Sequence, residues 1–504
     1  TGVNNTAIGG ESLDANTTAS NNTAVGTSAL GANTTGAQNT VIGSNAGLAL
    51  TTGSNNVAVG FEALKNEDAH GLNTAIGTQA LFTQNAGADA YNVGVGYQAG
   101  AAVTTGVQNT LIGGLSGDAI TVGGANIALG YAALSSDTQG SKSIAIGTGA
   151  LFTQNFTSAT NAYNTAVGDT AGNAITTGTN NTFIGGLAGD ANTTASYNTA
   201  VGVNALGANT TGESNVAVGS QSLDANTTGL NNVAIGRQAL DNNTTGSRNV
   251  AVGTNALDAN TTAGSNTAVG DGSLKANTTG AENVAVGAES LENNTTGNEN
   301  VAVGYRALEA NTTGATNTAI GDRTLASNTT ASNNTAVGNN ALVENTTGHS
   351  NNAVGATALD ANTTGNGLNA FGYGALGANT TADGNSAFGH ETLLANTTGA
   401  NNTAIGKEAL KANTTGTQNT AVGSNSLKTV TTGTRNTAVG FEALELNTAS
   451  DNVAVGYLAL DTCTTGSNNT AVGTECMDAN TTGEANVALG YRALDANTTG
   501  SSNV

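Results

Sequence analysis

The sequence contains no proline and no tryptophan, and only 3% of its 504 residues are aromatic. A chain without proline can donate a backbone hydrogen bond at every residue, which suits uninterrupted ladders between strands. The shortage of aromatic side chains excludes a thick aromatic core, so any core must be thin and built from Ala, Val, Ile and Leu. No apolar run is long enough to cross a bilayer, and we expect no membrane insertion.

Basic residues are also scarce: 12 Lys and Arg stand against 34 Asp and Glu, for a net charge of −22. This balance argues against nucleic acid and against anionic membrane surfaces as partners. The three histidines lie in distant parts of the chain, and the two cysteines, Cys463 and Cys476, form no redox or metal motif. We therefore expect two buried cysteines, no catalytic residues, no cofactor and no metal site, and a protein that is not an enzyme.

What the sequence does contain is a repeat of 17 residues, with 29 copies between Gly9 and Gly490. A fixed short period of this kind indicates a solenoid. We number the repeat from its first Asn, so that residues 249–253 occupy positions one to five and read Asn-Val-Ala-Val-Gly. Ala and Leu follow at positions eight and nine, and Asn-Thr-Thr-Gly at positions twelve to fifteen. The first and last residues fall inside a repeat, so we expect a portion of a longer protein.

The alternation at positions two to four predicts a short strand over positions one to five, and we expect a second strand at about positions eight to ten. Two turns join these strands, and a Gly at the fixed fifth position indicates a positive φ or a close approach of backbones. Seventeen residues interrupted by Asn-Thr-Thr-Gly leave no room for two helices. The sequence therefore predicts an all-β fold, a parallel β-solenoid (β-roll) of about 29 coils that stack about 4.8 Å apart.

Exchanges of side-chain volume indicate which positions face the interior. Position nine is usually Leu, but five copies carry Gly there: Gly47, Gly100, Gly117, Gly172 and Gly189. In these copies bulk reappears at position three, as Val41, Leu111 and Phe183, or at position twelve, as Leu50, Val103, Ile120 and Ile175. Because packed interiors conserve volume, positions three, nine and twelve should share the interior of the coil.

Positions two and four should then point outward, and position four is apolar throughout the chain. An apolar stripe of this length exceeds what a soluble monomer leaves exposed. We expect identical chains to cover it in a homotrimeric rod, with an inter-chain stripe that includes Val252, Val269, Val303, Phe371 and Phe388.

Regularity differs along the chain. Residues 198–504 repeat almost without interruption, apart from one step of 16 residues, whereas residues 1–197 contain two inserted loops at 82–91 and 152–163. Insertions in solenoids form loops on one face, which is often the binding face. Two interpretations stay open: each loop folds back over its own coil, or it contacts a ligand through Phe82, Tyr91, Phe152, Phe156 and Tyr163.

Residues 143–147 (Ser-Ile-Ala-Ile-Gly) and 249–253 resemble the head repeats of bacterial trimeric autotransporter adhesins, the YadA-like head. The longer unit, with its Asn-Thr-Thr-Gly turn, is similar to repeats in phage tail fibres. The resemblance implies a left-handed β-roll, an obligate trimer, an extracellular place on a cell surface or virion, and binding to a host. The repeat here is longer than that of the adhesin head.

These observations favour a non-enzymatic structural fibre or shaft that serves attachment to a host-surface glycan or receptor. The alternative is an ice-binding or carbohydrate-binding β-solenoid. Ice binding needs a flat array of Thr, whereas the two Thr of each turn, such as Thr261 and Thr262, are adjacent and should face opposite ways. An enzyme with a β-helical groove is disfavoured, because acids and bases do not cluster.

Overall fold

The structure is a computed structural model that describes all 504 residues. It contains strands and turns and no helix. The chain forms two compact units, Thr1–Thr254 (unit 1) and Asn255–Val504 (unit 2), and each is a parallel β-solenoid. The predicted fold class is confirmed: three-residue strands at positions two to four recur 29 times, 15 times in unit 1 and 14 times in unit 2.

The strands are numbered along the chain. Those of unit 1 are β1 (Thr6–Ile8), β2 (Thr23–Val25), β3 (Thr40–Ile42), β4 (Val57–Val59), β5 (Thr74–Ile76), β6 (Val93–Val95), β7 (Thr110–Ile112), β8 (Ile127–Leu129), β9 (Gly140–Ser141), β10 (Ile144–Ile146), β11 (Thr160–Asn161), β12 (Thr165–Val167), β13 (Thr182–Ile184), β14 (Thr199–Val201), β15 (Val216–Val218), β16 (Val233–Ile235) and β17 (Val250–Val252). Those of unit 2 are β18 (Thr267–Val269), β19 (Val284–Val286), β20 (Val301–Val303), β21 (Thr318–Ile320), β22 (Thr335–Val337), β23 (Asn352–Val354), β24 (Asn369–Phe371), β25 (Ser386–Phe388), β26 (Thr403–Ile405), β27 (Thr420–Val422), β28 (Thr437–Val439), β29 (Val453–Val455), β30 (Thr470–Val472) and β31 (Val487–Leu489).

Within each unit, each strand pairs in parallel with the equivalent strand of the next coil, so identical repeat positions lie side by side. Val216 of β15, for example, pairs with Val233 of β16, 17 residues further on. The offset widens where the loops occur, and Ile144 pairs with Thr165 across the second loop. It narrows at the single short repeat, where Thr437 pairs with Val453. The register therefore absorbs each irregularity within one coil.

The predicted second strand at positions eight to ten is wrong, because these residues form turns in nearly every coil and a strand in none. Positions seven and nine both adopt left-handed backbone angles, as at Gln221 (φ 58°) and Leu223 (φ 54°). Such angles interrupt an extended chain, so no strand can form there. The turns still stack, since the Leu223 N–H donates to the carbonyl of Ala239 in the next coil at 2.9 Å.

The predicted interior is confirmed at positions three, nine and twelve, which are buried in nearly every coil. The volume exchange is visible in the packing of Phe183. A Cβ placed on Gly172 would lie 2.8 Å from Phe183 Cδ2, and one placed on Gly189 would lie 2.5 Å from Cε1. The Phe183 ring thus fills the space that two Leu side chains occupy elsewhere. Gly suits position nine for a second reason, because the backbone there is left-handed (φ 57° at Gly189).

The Gly at position five has both a positive φ and a close backbone neighbour, the two features expected from the sequence. Gly219 has a φ of 135°, and a Cβ placed on it would lie 2.5 Å from the carbonyl oxygen of Gly236 in the next coil. Cβ atoms do not approach backbone so closely, which explains why no other residue occupies this corner of the coil.

Two ladders of buried Asn side chains line the interior, one at position one and one at position twelve. Asn215, at position one, accepts the backbone N–H of Asn232 at 3.0 Å and donates to the carbonyl of Gly229 at 2.9 Å. Asn226, at position twelve, donates to Oδ1 of Asn209 at 2.9 Å. These amides satisfy the backbone groups that the short strand leaves unpaired. The ladder at position one is not predicted from the sequence.

Candidate functional site

The outer face of the strands is the most extensive candidate surface in each unit. Positions two and four lie there, flanking the buried position three, and both remain partly exposed. The five predicted stripe residues lie on this face: Val269 (36%), Phe371 (38%) and Phe388 (39%) are exposed, and Val252 and Val303 are half-buried. None of the 29 strands carries a charged residue at either position, although the chain has 46 charged residues. The face is therefore continuous, uncharged and largely apolar within each unit.

Phe371 and Phe388 occupy position four of neighbouring coils, and their rings stack in parallel. The ring centroids are 4.9 Å apart and the ring planes differ by 6°. A Val or Ile in either place would leave the face flatter. The pair therefore forms a local ridge on the outer face of unit 2.

The two Thr of the Asn-Thr-Thr turn have different environments, as predicted. Thr210, at position thirteen, is half-buried, and its hydroxyl donates to the carbonyl of Thr227 in the next coil at 3.0 Å. Thr211, at position fourteen, is exposed. Each turn thus presents one exposed Thr instead of the pair that a two-row ice-binding array requires.

The first loop adds two residues to its coil and follows the backbone of the preceding turn. Asp89 accepts the Gly71 N–H at 3.0 Å, and the Ala90 N–H donates to the Gly71 carbonyl at 3.4 Å. Tyr91, at the end of the loop, is 56% exposed. Phe82 is half-buried, with the Lys65 ammonium 5.3 Å from its ring centroid.

The second loop is held more firmly to its neighbour. β11 in the loop pairs in parallel with β9, and Phe156 is only 5% exposed because it packs inward against Gly140. The Phe156 N–H donates to the buried Asp137 carboxylate at 3.2 Å. Phe156 therefore anchors this loop against the preceding coil. Tyr163 (50%) and Phe152 (39%) remain exposed.

Tyr163 and Lys142 occupy the same repeat position in neighbouring coils and contact each other. The Lys142 Nζ lies 3.1 Å from the Tyr163 hydroxyl and 5.1 Å from the ring centroid. Tyr91 lies in the other loop, four coils away along the chain. The structure therefore does not bring the five predicted aromatic residues into a single surface.

Acidic side chains stack in columns along the turns, because repeat positions coincide. Burial raises the pKa of Asp461 to about 6, and the neighbouring carboxylates of Glu445 and Asp478 add to the shift. Elsewhere in unit 2, Lys428 lies 2.9 Å from Glu408 and holds the pKa of that carboxyl below its ordinary value. The columns are thus only partly neutralised by the few lysines.

Both cysteines are free and buried, as predicted. Cys463 takes the place of the ladder Asn at position twelve, and its Sγ lies 3.4 Å from the carbonyl of Gly466. Burial raises the pKa of this thiol to about 11, so it is not a reactive thiolate.

Two groups of side chains have the composition of a metal site. Glu289, Glu292 and Glu309 are half-buried, and Arg306 pairs with Glu289 and Glu309, so two of these three carboxylates already have a cation partner. The second group is Glu67, Asp68 and His70, whose ligand atoms lie within 4.8 Å of one another. The sequence analysis missed it, although Glu67 and His70 both depart from the repeat consensus in one coil.

Comparison with known proteins adds no identification. No protein-family model matches this chain, and no curated protein matches it either. The structure has no helix long and apolar enough to cross a bilayer.

Proposed function

We propose that this chain is a non-enzymatic structural fibre, such as a phage tail fibre or bacterial surface adhesin, that assembles as a homotrimer outside the cell or on a virion. The observation that supports it is the outer strand face, which has no charge in a chain with a net charge of −22. Association through the faces that carry the acidic columns would bring like charges together, which is disfavoured.

The exposed apolar area on this face is large enough to stabilise assembly. At about 25 cal/mol per Å², covering the ~60 Å² that a Val at position four exposes contributes ~1.5 kcal/mol. Summed over the coils of one unit, this gives on the order of 20 kcal/mol before the entropy of association is subtracted. Identical chains supply a cover of the same period, because the stripe of each repeats at the same spacing.

Paired variants of the same coils test the assembly. Val269→Glu with Val286→Glu places charges on the outer face, and we expect sedimentation to show the mass of a single chain. Thr279→Glu with Thr296→Glu adds the same charges to exposed turns of the same two coils and should leave the mass at three chains. If both pairs retain three chains, the outer face is not the interface.

Attachment to a host glycan or receptor is assigned to the two loops. Tyr91 and Tyr163 are the most exposed aromatic residues of the loops, and planar rings of this kind stack on sugars. Tyr91→Ala with Tyr163→Ala should weaken binding on a glycan array. Tyr197→Ala is the matched control, because Tyr197 is 63% exposed at the same repeat position in a coil without a loop. Equal binding by all variants would remove the loops from this function.

A further inference from the structure

One coil of unit 1 departs from the repeat at all four positions of its Asn-Thr-Thr-Gly turn, where it reads Glu-Asp-Ala-His. Glu67 replaces the ladder Asn of position twelve, Asp68 the Thr of position thirteen, and His70 the Gly of position fifteen. The exchanges place two carboxyl groups and an imidazole on the same turn. A purely structural turn requires none of them, since most coils fold with Asn-Thr-Thr-Gly.

The geometry leaves donor atoms of this turn unused. The Glu67 side chain is fully buried, and its Oε1 accepts the backbone N–H of His70 at 3.1 Å. Its Oε2 has no hydrogen-bond partner, and neither has the buried Nδ1 of His70, which lies 3.6 Å from Glu67 Oε1. The Asp68 carboxylate is close to both, with all three ligand atoms within 4.8 Å of one another.

Asp137 shows how the fold satisfies a buried carboxylate when no ligand is required. It also occupies position twelve, and it is fully buried. Its Oδ1 accepts backbone N–H groups from Gly140 and Phe156 at 3.0 and 3.2 Å, and its Oδ2 accepts the Gln154 amide at 2.7 Å. Glu67 lacks a partner on one oxygen, and a buried unpaired carboxylate is costly.

We propose that Glu67, Asp68 and His70 bind a first-row divalent transition-metal ion, with Zn²⁺ the best match. Two carboxylate oxygens and one imidazole nitrogen form a mixed O/N set, and such sets coordinate Zn²⁺ at about 2.0–2.2 Å with water completing the shell. The imidazole favours transition metals over Ca²⁺, which takes oxygen ligands. The ion would give both unpartnered buried atoms a ligand role.

The position of the site gives the ion a structural role. His70 precedes Gly71, whose N–H and carbonyl bond to Asp89 and Ala90 of the first loop. A bound ion would therefore fix the turn against which residues 82–91 lie, and loss of the ion should loosen this loop.

The experiment uses the full chain, purified without a histidine tag and stripped of metal, and titrates ZnCl₂ by calorimetry. Glu67→Asn and His70→Gly restore the repeat consensus, so both variants should fold, and circular dichroism checks this. Asp137→Asn, which removes a buried carboxylate at the same repeat position, and His349→Ala, which removes an exposed histidine, are the controls.

We expect one Zn²⁺ per chain for the wild type and both controls, with CaCl₂ giving no comparable binding. Each consensus variant should bind at least 10–100-fold more weakly, the loss that even outer-shell changes cause at metal sites. Zn²⁺ should also raise the melting temperature of the wild type and the controls but not of the consensus variants. The proposal is overturned if Zn²⁺ does not bind, if the consensus variants bind it equally well, or if Ca²⁺ binds as tightly.

Discussion

Replacing Phe183 and Gly189 separately and together tests whether coil interiors exchange volume between positions. Phe183→Ala removes a fully buried ring that lies between Gly172 and Gly189, neither of which has a side chain to fill the cavity. A buried Phe→Ala change costs about 3–5 kcal/mol, and this site should fall at the upper end. Gly189→Leu alone forces a side chain into the Phe183 ring, which costs about 1–3 kcal/mol or more.

The double variant, Phe183→Ala with Gly189→Leu, recreates the Ala and Leu pair of the regular coils. Leu at residue 189 should not strain the backbone, because Leu206 adopts a φ of 56° at the same repeat position and the φ of Gly189 is 57°. The expected loss is only about 1–2 kcal/mol, since Gly172 still faces the missing ring. The two changes should therefore show a favourable coupling of roughly 2 kcal/mol or more.

Urea unfolding followed by circular dichroism gives the free energy of unfolding for all four proteins. Thr211→Ala, an exposed change in the following coil, provides the baseline for a substitution outside the core. Additive losses in the double variant would refute the volume exchange and the assignment of positions three and nine to one interior.

Three further predictions concern the ladder, the acidic column and the outer face. Asn215→Ala should lower the free energy of unfolding by about 2–3 kcal/mol, because it leaves the buried N–H of Asn232 without its acceptor, and urea unfolding measures this. Asp461→Asn should stabilise the chain at pH 8 by on the order of 1 kcal/mol and hardly at pH 4. The folded-state pKa of Asp461 is raised to about 6. The protonated carboxyl therefore does not destabilise the wild type below pH 4, and the wild type loses stability relative to Asp461→Asn as the pH rises through 6. Val286→Lys should weaken assembly and lower the sedimenting mass, since it buries a charge at the proposed interface.

These predictions have internal controls. An Asn215→Ala protein as stable as the wild type would mean that the ladder adds nothing to the fold. Asp495 occupies the same repeat position as Asp461 but has a cation partner in Arg492 at 3.4 Å, so Asp495→Asn is the matched substitution at a carboxylate that is already paired. A Val286→Lys protein with unchanged mass would contradict the proposed interface.

Periodicity was sufficient to predict the solenoid, the presence of a strand at the start of each repeat and the buried positions, although the strand is three residues long and not the expected five. Each of these three features follows from a residue pattern that recurs in the repeats, and stacking the repeats in one register accounts for all three. Volume compensation at Phe183 identified the interior because two departures from the consensus had one physical cause. The same reasoning applied to Glu67 and His70 would have found the second candidate site.

Two features could not be predicted because they depend on backbone angles. Leu223 and Gln221 adopt left-handed angles that these residue types rarely adopt, and the stacked coils stabilise them by hydrogen bonds at every step. The prediction of a second strand in each coil was wrong for this reason. The ladder at position one was missed because Asn is also common in turns, so its burial at Asn215 was not apparent from residue type.

The mass of the native particle in solution, measured by light scattering coupled to chromatography, tests the central claim most directly. The proposal predicts three times the 48.8 kDa of the single chain at micromolar concentration. A stable monomer with the outer strand face accessible to an apolar dye would contradict it, since the uncharged stripe would then serve some purpose other than assembly.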